Sequence, residues 1–364
     1  MIQAVLAGIV LFSVLNFAAL HTWIERKQSA VMQDRIGANR AAIFGIRALG
    51  LFHPLADAIK MFTKEDYIPP KGDKLLHTLA PFLSMTFAMA AFAAVPFGDI
   101  LRIGGLEIPL QVAPINVGLL YIFAMMSMGV YGVVLAGFSS NNNYAFLGGL
   151  RASSQMLAYE ITLGATIMGV VMVYGSLDLQ EIARKQGEFL GGPFPVLKYL
   201  PMWGFLVQPL GLFLFLMAGI AETKRIPYDI PEGESEIVGY FVEYSGMKFG
   251  MFYFTDFVET ILIAALTTTL FFGGWQVPWL YRAGFYFPWV EGGRTLAVAL
   301  PHLFVVFLQV SAFIVKVSFF CWLFMTIRWT LPRFRYDQLM RLGWKIIFPL
   351  SLINLLITAA VLLV

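Results

Sequence analysis

Apolar residues in this chain come in long unbroken runs separated by polar stretches, without the strict alternation of half-buried strands or the three-to-four spacing of surface helices. A helix needs roughly 20 mostly apolar residues to cross the hydrocarbon core of a bilayer. Eight runs qualify: 2–24, 75–97, 114–137, 156–174, 199–221, 249–272, 296–327 and 346–364. The pattern predicts an all-α polytopic membrane protein, one membrane domain over 1–364 with about eight transmembrane helices. The first run has no basic residue ahead of it and so lacks the charged leader of a cleavable signal; it reads as a retained span.

Two of the polar stretches are more than tethers. The first, 25–74, mixes nine bases with Glu25, Asp34, Asp57, Glu65, Asp66 and Asp73. Within it, 54–64 has helical periodicity, with Leu55, Ile59 and Phe62 on one face and Asp57, Lys60 and Lys64 on the other. Such a helix either lies in the membrane interface or turns its polar face into a cavity wall. The second stretch, 222–248, holds Pro227 and Pro231, which forbid a continuous helix. Glu232, Glu234, Glu236 and Glu243 follow closely, with Lys224, Arg225 and Lys248 as the nearby bases. A solvated acidic loop is one account. The other is irregular backbone lining a cavity, where crowded carboxylates repel one another and share protons.

Composition agrees with the runs: 59% of the 364 residues are hydrophobic and 13% charged, against about 45–50% and 25% in soluble domains. The net charge of +3 creates no field calling for a nucleic acid. Position matters more than total. Counting Lys and Arg by loop places eighteen on one side and six on the other, with Lys316 left inside the seventh run. The positive-inside rule then puts the long charged loops in the cytoplasm and both termini outside. Glu160, Asp256, Glu259 and Lys316 lie within apolar runs and Glu222 ends the fifth; charge at such depth marks a hydrated path or, near a helix end, a snorkelling side chain. One cysteine, Cys321, and four scattered histidines supply no ligand set for an iron–sulfur centre, haem or zinc. Any redox chemistry here belongs to a partner or a ligand.

Several long motifs give the chain a family resemblance. They are Trp23-Ile24-Glu25-Arg26-Lys27 with 33–40, Pro54 to Lys60 with Lys64-Glu65-Asp66, Leu147 to Gln155 with Tyr159-Glu160, Ala221-Glu222 through Pro231-Glu232, Glu243 to Phe249, and Pro332 to Met340 with Leu342 to Lys345. In that order they closely resemble the membrane-arm heel subunits of respiratory complex I, the proton-translocating NADH:quinone oxidoreductases, in their bacterial and mitochondrial forms alike. The resemblance implies a subunit with no redox centre of its own, in the bacterial inner membrane. Its partners would be the quinone-site and terminal-cluster subunits of the hydrophilic arm, small membrane subunits and antiporter-like pump subunits. Iron–sulfur clusters and FMN would sit in those partners, and quinone would be the substrate, with ubiquinone, menaquinone and plastoquinone all open. Glu25, Arg26, Arg35, Asp57, Lys60, Arg225 and Asp229 match quinone-chamber positions. Glu160, Glu222, Glu232, Glu234, Glu236, Glu243 and Tyr244 match the proton path that couples quinone reduction to pumping.

The chain departs from the family pattern at three places. Gly37-Ala38-Asn39 replaces a usual Gly-Pro-Asn, which removes a proline's stiffening. Gly233 stands where Ala is common. Ser127 stands where some members carry a glutamate, so a proton path here would need water or another carboxylate at that step. Two rivals remain open at the level of sequence: the corresponding subunit of a membrane-bound hydrogenase, and a stand-alone ion-coupled transporter. Transporter folds often carry internal repeats, and the two halves of this chain show none.

Overall fold

A computed structural model describes residues 2–190, 200–230, 239–287 and 296–363. Among them, seven helical segments are long and apolar enough to cross a membrane. They are α1 (Ile2–Met32), α3 (Lys74–Ala91, prolonged by a 3-10 turn to Ala94), α4 (Gly118–Ser139), α5 (Asn143–Tyr174), α9 (Gly246–Phe271), α10 (His302–Thr330), and the pair α11 (Tyr336–Leu342) and α12 (Phe348–Leu363) joined through a π turn. The short helices are α2 (His53–Thr63), α6 (Leu179–Lys185), α7 (Gly204–Val207) and α8 (Pro209–Glu222).

The fifth expected span is not one helix. Gln208, at φ −132° and ψ 59°, breaks it between α7 and α8, because Pro209 has no amide hydrogen and disfavours helical backbone in the residue before it. The break is satisfied from α12: Gln208 Nε2 donates to Thr358 Oγ1 at 2.6 Å, and Gln208 Oε1 accepts from Asn354 Nδ2 at 2.9 Å. Two small sheets are also additions to an otherwise helical fold. The hairpin β1 (Ile100–Ile103) and β2 (Leu106–Pro109) turns through Gly104-Gly105, both at positive φ. A three-stranded antiparallel sheet orders β3 (Leu280–Tyr281), β4 (Gly284–Phe287) and β5 (Leu296–Ala299). Both sheets lie at the end of the bundle away from the charged loops.

Helix α9 is the hub. Every residue from Thr255 to Phe271 is buried, and α1, α2, α3, α6, α7, α8 and α10 all pack on it. A helix buried on all faces has no lipid-facing side, so its charged residues, Asp256 and Glu259, face protein. Beside it, α3 and α4 approach closely at Gly132, where a Cβ would come within 2.8 Å of the Ala80 carbonyl oxygen; small residues allow such contact between membrane helices. The charged loops are tied together at one end. Lys248 pairs with Asp66 at 2.9 Å, Tyr67 N donates to Ser245 Oγ at 2.9 Å, and Phe334 N donates to the Pro227 carbonyl at 3.0 Å.

Candidate functional site

The first group of charged residues surrounds two adjoining cavities at that end. One, of about 200 Å³, is lined by Arg225, Phe241, Phe249, Phe252, Tyr253, Asp256 and Arg328. The other, of about 270 Å³, is bounded by Arg26, Asp57, Lys60, Met61, Lys64, Gly246, Phe249 and Tyr253. Phe249 and Tyr253 form the wall common to both. The polar face of α2 thus lines a cavity, while Leu55, Ile59 and Phe62 are exposed on its other side. Arg26 and Asp57 pair at 2.6 Å across the gap between α1 and α2.

Glu25 is 7% exposed and held by two guanidinium groups, Arg225 at 3.0 Å and Arg328 at 2.5 Å. Arg225 also lies over the Phe257 ring, 4.0 Å from its centroid, a cation–π contact that fixes the guanidinium at the cavity edge. Asp229 pairs with Arg333 at 2.8 Å, linking 222–230 to the segment after α10. Gln155 of α5 fixes the same stretch, since its Nε2 donates to the carbonyls of Ala221 and Tyr228 at 2.7 and 2.8 Å. Arg35 stands apart. It is exposed, and its side chain donates to Gln33 at 2.7 Å, outside both cavity walls.

The second group is more deeply buried. Both carboxylate oxygens of Glu222 lack a hydrogen-bond partner among the described residues, and the residue is 2% exposed. Glu160 of α5 accepts a hydrogen bond from Ser127 of α4. Lys224, which takes a positive φ of 53°, turns its ammonium inward to Asp256 at 2.9 Å and Glu259 at 3.5 Å. Glu222 feels the charges of Glu160, Glu259 and Lys224, so these groups form one electrostatic unit.

Glu243 accepts from Asn142 Nδ2 at 2.8 Å. The neighbouring Tyr244 hydroxyl lies 3.1 Å from Ser139 Oγ, and its ring stacks on His77 at 3.9 Å between centroids. Burial pushes the Tyr244 phenol up to about 12 despite the Ser139 contact, so it remains neutral. Glu232, Glu234 and Glu236 lie outside the described residues.

Arg328, Arg333 and His77 are absent from the residues that sequence singled out, although each touches one that it did. Arg328 and Arg333 read as positive-inside charges at a helix end. His77 has apolar neighbours in a run and no ligand spacing, so nothing local marks its stacking partner.

A sequence profile described as NADH dehydrogenase matches residues 5–359. Among similar proteins, NADH-quinone oxidoreductase H-subunit 1 of Cytophaga hutchinsonii is 42% identical over 350 residues, covering 96% of this chain and 93% of that one. The NADH-quinone oxidoreductase H-subunit of Thermomicrobium roseum is 43% identical over 364 residues, covering 99% and 96%. Its namesake from Flavobacterium johnsoniae is 38% identical over 357 residues, covering 98% and 93%.

Proposed function

Since the chain belongs to the NADH dehydrogenase family of NADH-quinone oxidoreductase membrane subunits, we propose that its two adjoining cavities are its part of a quinone-access chamber, and that its buried carboxylates relay quinone reduction to proton translocation. The observation that carries this reading is a cavity edge shared between cationic side chains and the buried acids: Asp256 lines the same space as Arg225 and Arg328 and pairs with Lys224 behind it.

Reduction of a quinone to a quinol takes two electrons and two protons. A partner subunit's iron–sulfur cluster supplies the electrons. Negative charge on the head group in a low-dielectric space interacts strongly with nearby ionisable groups. Arg26, Lys60 and Arg225 attract that charge, and Arg35, exposed here, would act at the junction with a partner subunit. Asp57 and Glu25 keep Arg26 and Arg225 oriented, and Asp229 holds the loop through Arg333. The relay runs through Glu222 and Glu160. Glu243 with Tyr244, and Glu232, Glu234 and Glu236 in the acidic loop, belong to its chamber end. The charged loops face the cytoplasm and dock on the hydrophilic arm, and the subunit resides in a bacterial inner membrane.

The similarity to the Cytophaga and Thermomicrobium proteins extends over nearly the whole chain, which favours complex I over a membrane-bound hydrogenase and over a lone transporter. Glu222→Gln and Glu243→Gln in the assembled complex are expected to lower quinone reductase turnover by about a hundredfold or more, the scale of a lost proton-transfer group, or to reduce its proton yield. Wild-type turnover and proton yield in both variants, measured in sealed membrane vesicles, would overturn the relay.

A further inference from the structure

Lys224, Asp256 and Glu259 connect the cavity to Glu222. Asp256 lines the cavity containing Arg225 and Arg328, yet is only 7% exposed. The Lys224 ammonium, 4% exposed, bridges its carboxylate to that of Glu259, one helical turn further along α9. Glu259 reaches the α4 surface, where a Cβ on Gly129 would lie 3.9 Å from its Oε1. Ser127, also on α4, holds Glu160, and Glu222 interacts electrostatically with both Glu259 and Glu160. One ammonium among three buried carboxylates and the half-buried Glu160 leaves more negative charge than so poorly hydrated a site holds ionised at once, so protons are shared between them.

We propose that Asp256, Lys224 and Glu259 form a proton path from the cavity through α9 to Glu222 and Glu160, separate from the acidic loop, with Lys224 as its relay group. The proposal rests on the carboxylate relay proposed above and names its entrance. A proton arriving through the cavity neutralises Asp256 and removes one of the two anions holding the ammonium. Lys224 Nζ then gives a proton to Glu259 while Asp256 returns one to Nζ. One proton has moved from Asp256 to Glu259, and Lys224 ends as the ammonium it began. From Glu259 the proton passes to Glu222. Glu259 thereby supplies from α9 the carboxylate that α4 lacks at Ser127.

Lys224→Arg separates a relay from an ion-pair pin, because a guanidinium keeps the charge but does not give up its proton. In the assembled complex, Lys224→Arg and Glu259→Gln are expected to lower turnover by about a hundredfold and to reduce the proton yield, with Glu259→Asp restoring most of both. Should either single variant fail to assemble, Lys224→Met combined with Glu259→Gln removes one charge of each sign and tests the same step; it should assemble and remain impaired. Wild-type turnover and proton yield in Glu259→Gln, or in the double variant, alongside an impaired Glu222→Gln, would overturn the α9 path and leave the relay standing. Wild-type behaviour of Glu222→Gln and Glu243→Gln as well would remove the relay itself.

Discussion

Asp99 and Glu222 are both nearly sealed from solvent, at 4% and 2% exposure, and their surroundings differ in kind. Asp99, beyond α3 at the sheet-bearing end, receives Arg184 at 2.9 Å and Arg282 at 2.7 Å. It draws the β1–β2 hairpin, α6 and the β3–β4 turn to one point. Burial pushes its carboxyl up, but the hydrogen bonds from Arg282 and Arg184 outweigh that and hold it below the ordinary carboxylate range. Glu222 has no hydrogen-bond partner among the described residues and sits among other acids. A carboxylate saturated by arginines is fixed in one protonation state, whereas one surrounded by like charge can change state at small cost. The first arrangement stabilises a fold, and the second suits proton traffic.

Glu25 tests whether saturation by arginine means structure even beside the cavity. Removing one member of a buried ion cluster leaves its partners uncompensated and costs about 3–5 kcal/mol. Glu25→Ala removes the carboxylate that Arg225 and Arg328 share, so it should give the largest loss of thermal stability in the purified complex, or loss of this subunit from it. Melting at the wild-type temperature would show that the two guanidiniums find other anions.

Asp99→Asn comes next, at about 1–2 kcal/mol, because both arginines are about half exposed and water screens the pairs. Its pH dependence has a definite sign. A carboxylate with a depressed folded pKa contributes stability above its unfolded value of about 3.9, and that contribution disappears as pH falls through the folded value. The gap in melting temperature between wild type and Asp99→Asn should therefore be widest near neutrality and close below about pH 4. A gap independent of pH would mean that the arginines stabilise this end without the carboxylate charge.

Ser127→Ala follows at about 1 kcal/mol, the worth of one hydrogen bond. It removes the only hydrogen bond to Glu160 among the described residues, so the measurement is of turnover as much as of melting. An unchanged melt with reduced proton yield would place Ser127 in the path; the reverse would make it a packing contact.

The same contrast explains what was legible in the sequence. Long apolar runs carry their own evidence of span, and seven of eight survive as single helical segments, because bilayer thickness sets helix length with little help from tertiary contacts. The break at Gln208 was written locally in Pro209 but depends on Asn354 and Thr358, some 150 residues away, for its hydrogen bonds. Intramembrane charge announced Glu160, Asp256 and Glu259 singly. Their grouping with Lys224 was hidden, since the inward turn of that side chain is set by the positive φ of one loop residue and by partners on another helix. The strands of the far end are four residues or fewer and leave no readable alternation. Arg35 shows the opposite case: a motif places it with the chamber, while its contacts in the isolated chain run along the surface to Gln33.

Glu222→Gln should have the smallest effect on stability and one of the larger effects on turnover. Glutamine has nearly the shape of a protonated glutamate and carries no charge. If Glu222 spends the resting state protonated amid Glu160 and Glu259, the substitution removes no ion pair and opens no cavity. Its melt should lie within about 1 kcal/mol of wild type. A destabilisation of about 3 kcal/mol would instead give Glu222 the cost of breaking a buried ion pair. Glu222 would then be pinned by a cation as Asp99 is, and the physical distinction between the two ends of the bundle would fail at its clearest point.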